Sequence, residues 1–304
     1  MTFFDDLETR SSDQRSTENA ALLKDILYLA VKLDGYKAIL GSVDFSTFKS
    51  LEDLSSLPVL RKSELSEKQV KGNLLGGYSA KKPYDFDHIF QSPGPIYEPG
   101  GVGHDWWRIG RFLHALNIGK GDIVHNCFSY HLTPAGMIFE SGARAVGAAV
   151  VPAGVGQTEL QVRAASDIGS NVYSGTPDYL KIILDKADEM GEKLSFNRAA
   201  VGGGALFPSL RQEYADRGIV CRQNYATADL GNIAYETEAL DGMVVDEGVI
   251  VEIVTPGTGN PVPLGEVGEV LVTSLNADYP LIRFATGDLS AFLPGKSSCG
   301  RTNI

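Results

Sequence analysis

Apolar positions recur along the chain at two different periods, and the change from one to the other marks its parts. Within residues 1–60, Leu22, Ile26, Leu29 and Leu33 stand at i, i+4, i+7 and i+11, a spacing that predicts a helix with one apolar stripe. From about residue 85, short apolar runs alternate with amphipathic stretches. The runs at 86–90, 122–128, 148–152, 171–174, 198–201 and 219–223 predict strands. The stretches at 105–116, 133–146, 157–167, 177–190 and 208–217 predict helices between them. Thr176-Pro177 is a helix start, with a capping hydroxyl followed by proline in the first turn. Alternation at this spacing implies a parallel sheet with helices on both faces. Beyond about 231 the helices stop, and Gly- and Pro-punctuated runs at 243–245, 249–254, 269–274 and 281–284 predict an antiparallel sheet or small barrel. The expected fold class is therefore α/β: parallel sheets with flanking helices, then a smaller antiparallel β subdomain. Its expected parts are a helical region 1–84, an α/β core 85–230 and a β-rich subdomain 231–304.

Composition narrows the chemistry. A length of 304 residues suits about two domains. With 43% hydrophobic and 21% charged residues the chain can bury a sizeable core, so wholesale disorder is excluded. The balance of 27 Lys+Arg against 38 Asp+Glu, a net charge of −11, argues against a nucleic-acid-binding surface. It leaves room for a small anion held by local donors. Cys127, Cys221 and Cys299 are odd in number, far apart and without a CxxC pair, which fits a reducing cytoplasm. The acidic N-terminus does not read as a secretory signal, and no run approaches 18 apolar residues, so no membrane partner is expected.

The 34 glycines gather at loops, and four loops fall where a parallel sheet binds ligands: 91–103, 154–157, 202–206 and 225–231. Gly202, Gly203, Gly204 and Ala205 follow a strand and precede a helix, so the backbone there can approach a flat or anionic ligand. A plain flexible turn is the alternative. The third glycine of a dinucleotide fingerprint is missing, which sets a nicotinamide oxidoreductase aside. Tyr225, Ala226 and Thr227 lead to Asp229; the ring can stack on a base or pack in the core, and the carboxylate can hold a hard cation or lie at the surface. In the run 278–289 an apolar strand leads into Thr286-Gly287-Asp288, placing a carboxylate on a tight turn. That carboxylate suits a ribose diol, or is simply an aspartate at a turn. Trp106-Trp107 reads as a helix face on the core, His125 and His131 straddle a strand end without zinc spacing, and Cys127 and Cys221 read as buried thiols.

Taken in order, these runs resemble the phenylacetate–CoA ligase branch of the AMP-forming acyl-CoA synthetase superfamily. The most specific pieces are Asp122-Ile123-Val124-His125-Asn126, Val150-Val151-Pro152 through Gly156-Gln157-Thr158-Glu159, Gln161-Val162, and Thr176-Pro177 with Tyr179. The glycine loop, the 225–229 run and the 280–288 run complete the series. The resemblance implies the large N-terminal domain of an adenylate-forming enzyme, with ATP/AMP, Mg²⁺ and CoA as cofactors and a carboxylic acid, more aromatic than long-chain, as substrate. A carboxylate attacks the α-phosphate of ATP, and CoA then displaces AMP. Carried over by position, Gly202, Gly203, Gly204 and Ala205 line the adenine site and Tyr225 stacks on the base beside Ala226 and Thr227. Asp229 takes the Mg²⁺ position, Asp288 the ribose, and Phe128, Tyr130, His131, Gly154 and Gly156 the acyl pocket. Asp229 and Arg283 are the expected catalytic residues, and a homodimer is the expected assembly.

The sequence departs from the family's pattern at three places. The phosphate-wrapping loop, Ser/Thr/Gly-rich and ending in Lys-Pro in the family, reads Gln91-Ser92-Pro93-Gly94-Pro95-Ile96-Tyr97-Glu98, with two prolines that lack an N–H and a glutamate expected to repel triphosphate. The family's Tyr-Gly-x-Ser/Thr-Glu has become Tyr225-Ala226-Thr227-Ala228-Asp229, and the arginine before Thr-Gly-Asp is Ala285. Gly300-Arg301-Thr302-Asn303 stands near the expected hinge, so the C-terminal lid with its lysine is expected to be absent from this chain. An accessory protein that binds adenylate or acid without ligase activity, and an adenylating enzyme with another acceptor than CoA, are the alternatives.

Overall fold

The computed structural model describes residues 3–303. The chain forms two compact units: an α/β unit of Met1–Phe4 and Val102–Val244, and a terminal unit of Asp5–Gly101 and Val245–Ile304.

The terminal unit begins with helices. In α1 (Ser12–Ala30) the Ser11 side chain accepts from the Gln14 N–H, and the helix buries Leu23, Ile26, Leu27 and Ala30. The buried stripe is thus shifted from the expected one: Leu22 is 49% exposed, and Leu23 takes its place. After α2 (Asp34–Leu40), the short β1 (Leu60–Arg61) runs into α3 (Lys62–Lys68). Strands β2 (His88–Ser92) and β3 (Ile96–Gly100) form an antiparallel hairpin around Pro93-Gly94-Pro95. Gln69 steadies it like a short strand, its amide donating to the Tyr97 carbonyl and accepting from the Tyr97 N–H, each at 2.8 Å.

The α/β unit holds a seven-stranded sheet. In chain order its elements are α4 (Gly110–Ala115), β4 (Ile123–Asn126), α5 (Ala135–Ala145), β5 (Ala149–Val151), α6 (Thr158–Ile168) and β6 (Val172–Gly175). Then come α7 (Pro177–Met190), β7 (Arg198–Val201), α8 (Pro208–Asp216), β8 (Val220–Thr227), β9 (Gly231–Glu236) and β10 (Met243–Val245). Spatial order is β10-β9-β8-β7-β6-β4-β5, parallel from β8 to β5 and antiparallel between β8 and β9. Helices α6, α7 and α8 share one buried cluster with Tyr173, Ala199, Val201 and Cys221. On the other face Phe112 of α4 packs on Tyr235 and on Phe139 of α5. The α/β alternation read from the sequence is present, and β9 and β10 extend the larger sheet where a separate β-rich region was expected to begin.

Three local expectations change. The helix expected at 105–116 starts only at Gly110, because Asp105 and Arg108 have positive φ and cannot lie in a right-handed helix. Thr176 makes no side-chain cap for α7; its carbonyl instead accepts from the Tyr173 hydroxyl at 2.9 Å. In the terminal unit, β11 (Val249–Val254), β12 (Gly268–Ser274) and β13 (Phe284–Ser290) pair antiparallel, and β1 joins β13 in parallel. The strand expected at 281–284 thus begins where it was expected to end. Arg283, at φ 47°, breaks the extended path before it. This smaller sheet completes the expected fold class. Among the described residues no helix is long and apolar enough to cross a membrane.

Candidate active site

In the α/β unit the sheet's parallel strands end at one edge. There β4 leads to α5 on one face and β6, its neighbour, leads toward α7 on the other. Such a switch opens a crevice beyond the carboxyl ends of the strands, where α/β sheets bind ligands. The residues expected to form the acyl pocket and glycine loop follow these strand ends.

Asn126, the last residue of β4, organises the first wall. Its side-chain N–H₂ donates to the Tyr130 hydroxyl at 2.7 Å and the Gly136 carbonyl at 2.8 Å. Its side-chain oxygen accepts from the Phe128 N–H and the Ser174 hydroxyl, each at 3.3 Å. Its backbone carbonyl accepts from the Gly154 N–H at 2.9 Å. One fully buried asparagine, through its side chain and its backbone carbonyl, therefore ties Phe128, Tyr130 and Gly154 together. Phe128 stacks on Phe139 with ring centroids 4.2 Å apart. Burial, with Glu140 adding to it, pushes the Tyr130 phenol well above its ordinary value, so it stays neutral. His131 is exposed, and its N–H donates to the Ser129 hydroxyl.

The glycine loop is the second wall. A Cβ at Gly203 would stand 3.7 Å from the Phe128 ring and 3.9 Å from the Thr176 methyl, so the loop runs close to Phe128 at this residue. Gly202 has no such room, because the Asn224 side-chain oxygen crowds the place where a Cβ would stand, and Asn224 is itself held by Asn232 at 3.0 Å. Gly203, Gly204 and Ala205 are exposed.

Tyr225, Ala226 and Thr227 lie inside β8 and are half-buried, while Asp229 sits in the turn after it and is 9% exposed. That turn is braced from a place the sequence did not suggest. Arg108 donates to the carbonyls of Leu230 at 2.5 Å and Asn232 at 3.0 Å, and Gly231, at φ 72°, leaves no space for a side chain against Trp107. The tryptophan pair expected on a helix face thus belongs to a turn, with Trp107 buried and Arg108 reaching the 230–232 backbone.

The terminal unit carries the other expected site residues. Asp288 is exposed in a bulge of β13, where Glu269 pairs with Leu289 but Leu271 pairs with Ala285. Thr286 closes the bulge, its hydroxyl donating to the Val270 carbonyl and accepting from the Asp288 N–H, each at 3.2 Å. The carboxylate is thus held on a kinked strand and not on a turn after one. Arg283 corrects the expectation of a catalytic arginine. It is 1% exposed, and all five guanidinium donors are engaged: with both Glu252 oxygens at 3.0 Å, the Gly259 carbonyl at 2.6 Å, and the carbonyls of Ser55 and Leu57. No donor remains for a phosphate. Glu98, expected to face a triphosphate, is also turned inward, 1% exposed and accepting from the Ser92 hydroxyl across the hairpin.

Among the described residues no group of three or more His, Cys, Asp or Glu could hold a metal ion. Asp229 offers one carboxylate, a donor set that suits Mg²⁺ only where substrate phosphates and water complete the shell. The thiols are free and buried as expected; burial pushes Cys221 up to about 12, so neither it nor Cys127 is a ready nucleophile.

No protein-family model matches the chain. Among curated proteins it is 30% identical to the phenylacetate–coenzyme A ligase of Escherichia coli K12, over 97% of this chain and 71% of that protein. It is 27% identical to the enzyme of the same name from Thermus thermophilus, over 100% of this chain and 72% of that protein. Against the curated relatives it matches, the chain spans 58% to 72% of their length. Among solved structures, an open conformation of a 2-hydroxyisobutyryl-CoA ligase, in complex with 2-HIB-AMP and CoA, superposes with a TM-score of 0.90 at 23% identity. That match covers 97% of this chain and 69% of that one and establishes a shared fold.

Proposed function

Because the chain belongs to the phenylacetate–coenzyme A ligase family, we propose that it serves the ATP-dependent activation of a carboxylic acid and its transfer to CoA. A carboxylate oxygen bonds to the α-phosphorus of ATP while the bond to pyrophosphate breaks. The CoA sulfur then bonds to the acyl carbon, AMP departs with the electron pair, and the thiol proton passes to solvent. Neither step needs a protein nucleophile. The chain's work is to align reactants and stabilise phosphate charge.

The observation that supports this reading is the nearness of the two segments: a Cβ at Gly203 would stand 3.7 Å from the Phe128 ring, and we take the glycine loop and the aromatic pocket as two walls of one crevice. We assign the acid to Phe128, Tyr130, His131, Gly154 and Gly156, and the adenine to Gly202, Gly203, Gly204, Ala205 and the Tyr225–Thr227 stretch. Asp288 holds the ribose hydroxyls. Asp229 would hold Mg²⁺ together with phosphate oxygens, and the ion would neutralise phosphate charge there. Arg283 acts through the fold alone. Free buried thiols suit a reducing compartment such as the cytoplasm, and a net charge of −11 suits a protein without a nucleic-acid partner.

A second reading, adenylate or acid binding without ligation, draws on the 91–98 hairpin, which has two prolines, a buried Glu98 and no basic residue. One experiment separates the two. The full-length protein, with any lid that completes it, is incubated with Mg·ATP and a panel of aryl and short-chain acids, and pyrophosphate release is followed with and without CoA, beside calorimetry with AMP. Acid-dependent release followed by thioester is the expected result. AMP or acid binding without release selects the second reading, and absence of both overturns each.

A further inference from the structure

Resting on that reading of the acyl pocket, we propose that Gln161 is a positioning residue that fixes the pocket loop 153–156 and thereby selects the acid, with His125 holding Gln161 in place. The loop is unusual for a pocket wall. Gly154, Gly156 and Gln157 all have positive φ, and nothing lies within 4 Å of where a Cβ at either glycine would stand. Val155 at its tip is 66% exposed. Packing therefore does not define this wall, and its backbone polar groups have to find partners elsewhere.

Three of its carbonyls find one in the same side chain. Gln161 is 5% exposed in α6, and its amide nitrogen lies 3.0 Å from the Ala153 carbonyl, 3.2 Å from Gly154 and 3.4 Å from Gly156. Its amide oxygen lies 2.7 Å from His125 Nε2. Carbonyls only accept, so the nitrogen must face the loop and the oxygen must face the histidine. His125 consequently carries its proton on Nε2 and donates it to Gln161. His125 is fully buried, its Nδ1 has no hydrogen-bond partner, and burial lowers its pKa, all of which favour that neutral tautomer. The Tyr179 hydroxyl adds a second tether at the Gly156 carbonyl, at 2.8 Å. The loop glycines are thus set by a relay that runs from a core strand through one helix residue, with none of its members required to touch the reacting atoms.

The test uses Gln161→Met, which keeps length and bulk but removes both polar ends, and Tyr179→Phe, which removes only the second tether. Hydrogen exchange at the 154–157 amides should accelerate about tenfold in Gln161→Met and less in Tyr179→Phe, the scale expected for losing such bonds. In turnover, KM for the preferred acid should rise by about tenfold while KM for ATP stays within about twofold, and the ranking of acids in the panel should change. Should Gln161→Met not fold, Tyr179→Phe carries the same readings. Unchanged exchange in both variants overturns the clamp whether or not the protein is a ligase. Faster exchange with an unchanged acid KM and ranking overturns the role in selection. A wild-type protein that releases no pyrophosphate with any acid overturns the ligase reading instead, and exchange still judges the clamp.

Discussion

Asn126 and Tyr130 are joined at 2.7 Å, the amide of one donating to the hydroxyl of the other, and the same amide also receives the Phe128 N–H. The aromatic wall is therefore only as well placed as Asn126. Asn126→Leu should cost about 1–3 kcal/mol by stranding buried partners. Urea unfolding measures this. Acid KM should rise with it, while Asn126→Asp, which keeps the acceptor for Phe128, should be milder. Equal effects from the two variants would contradict the hub.

Gly202 and Gly203 should respond differently to alanine. At Gly202 a methyl meets the Asn224 oxygen, which Asn232 holds in place. At Gly203 there is room, and the cost is a φ of 68°, worth about 1–2 kcal/mol for an L-residue. We expect Gly202→Ala to weaken AMP binding more than Gly203→Ala, read by calorimetry. The opposite order would show that backbone conformation and not space is decisive.

Arg283→Met should destabilise by about 2–4 kcal/mol, because the half-buried Glu252 loses its partner. Burial already pushes the Glu252 carboxyl up against the pull of Arg283. The double variant with Glu252→Leu should regain part of the loss. A stable Arg283→Met protein with selective loss of adenylation would return the residue to the chemistry.

Asp288→Ala should weaken nucleotide binding and leave the melting temperature unchanged, since the carboxylate is exposed on its bulge. Tyr225→Ala should lose about 1–3 kcal/mol of AMP affinity if its ring carries the base. Unaltered affinity in either variant removes that residue from the site.

Asp122 supplies a pH dependence. Partial burial pushes its carboxyl up, but the Gly119 N–H, the Asn171 amide at 2.7 Å and the Arg198 guanidinium at 2.5 Å prevail and hold it below the usual range. A depressed folded-state value means that its stabilisation is present above the unfolded value of about 3.9 and is lost as pH falls through the lower one. Melting temperature should therefore decline less steeply below about pH 4 in Asp122→Asn than in the wild type. Parallel acid limbs in the two proteins would remove Asp122 as a source.

Where residues announce their own geometry, the sequence was informative. Pro177 and Pro208 at helix starts, the apolar run 198–201 and the glycines after it lie where local chemistry implies. The misreadings share a cause: partners distant in sequence. Arg108 turns out of a helical pattern because two carbonyls more than a hundred residues later accept from it. Arg283 looked available for phosphate because nothing local reveals Glu252, Leu57 and Gly259 around it. Gln161 sat inside a recognised run, yet its role appears only once the helix places its amide beneath the loop.

The division of the chain also bears on the order in which it becomes structured during synthesis. Almost all of the α/β unit is one uninterrupted stretch, Val102–Val244, and its parallel strands need nothing made later. The terminal unit is interrupted by that stretch, and β1 must wait for β13 before its backbone has a partner. Until then the ribosome presents α1, with Leu23, Ile26 and Leu27, ahead of the sheet that follows Val245. The second unit closes last, over a long loop whose closure entropy falls once the intervening stretch has already folded. Exposure to aggregation and to chaperones should thus fall mainly on Asp5–Gly101 while Val245–Ile304 is still to be made.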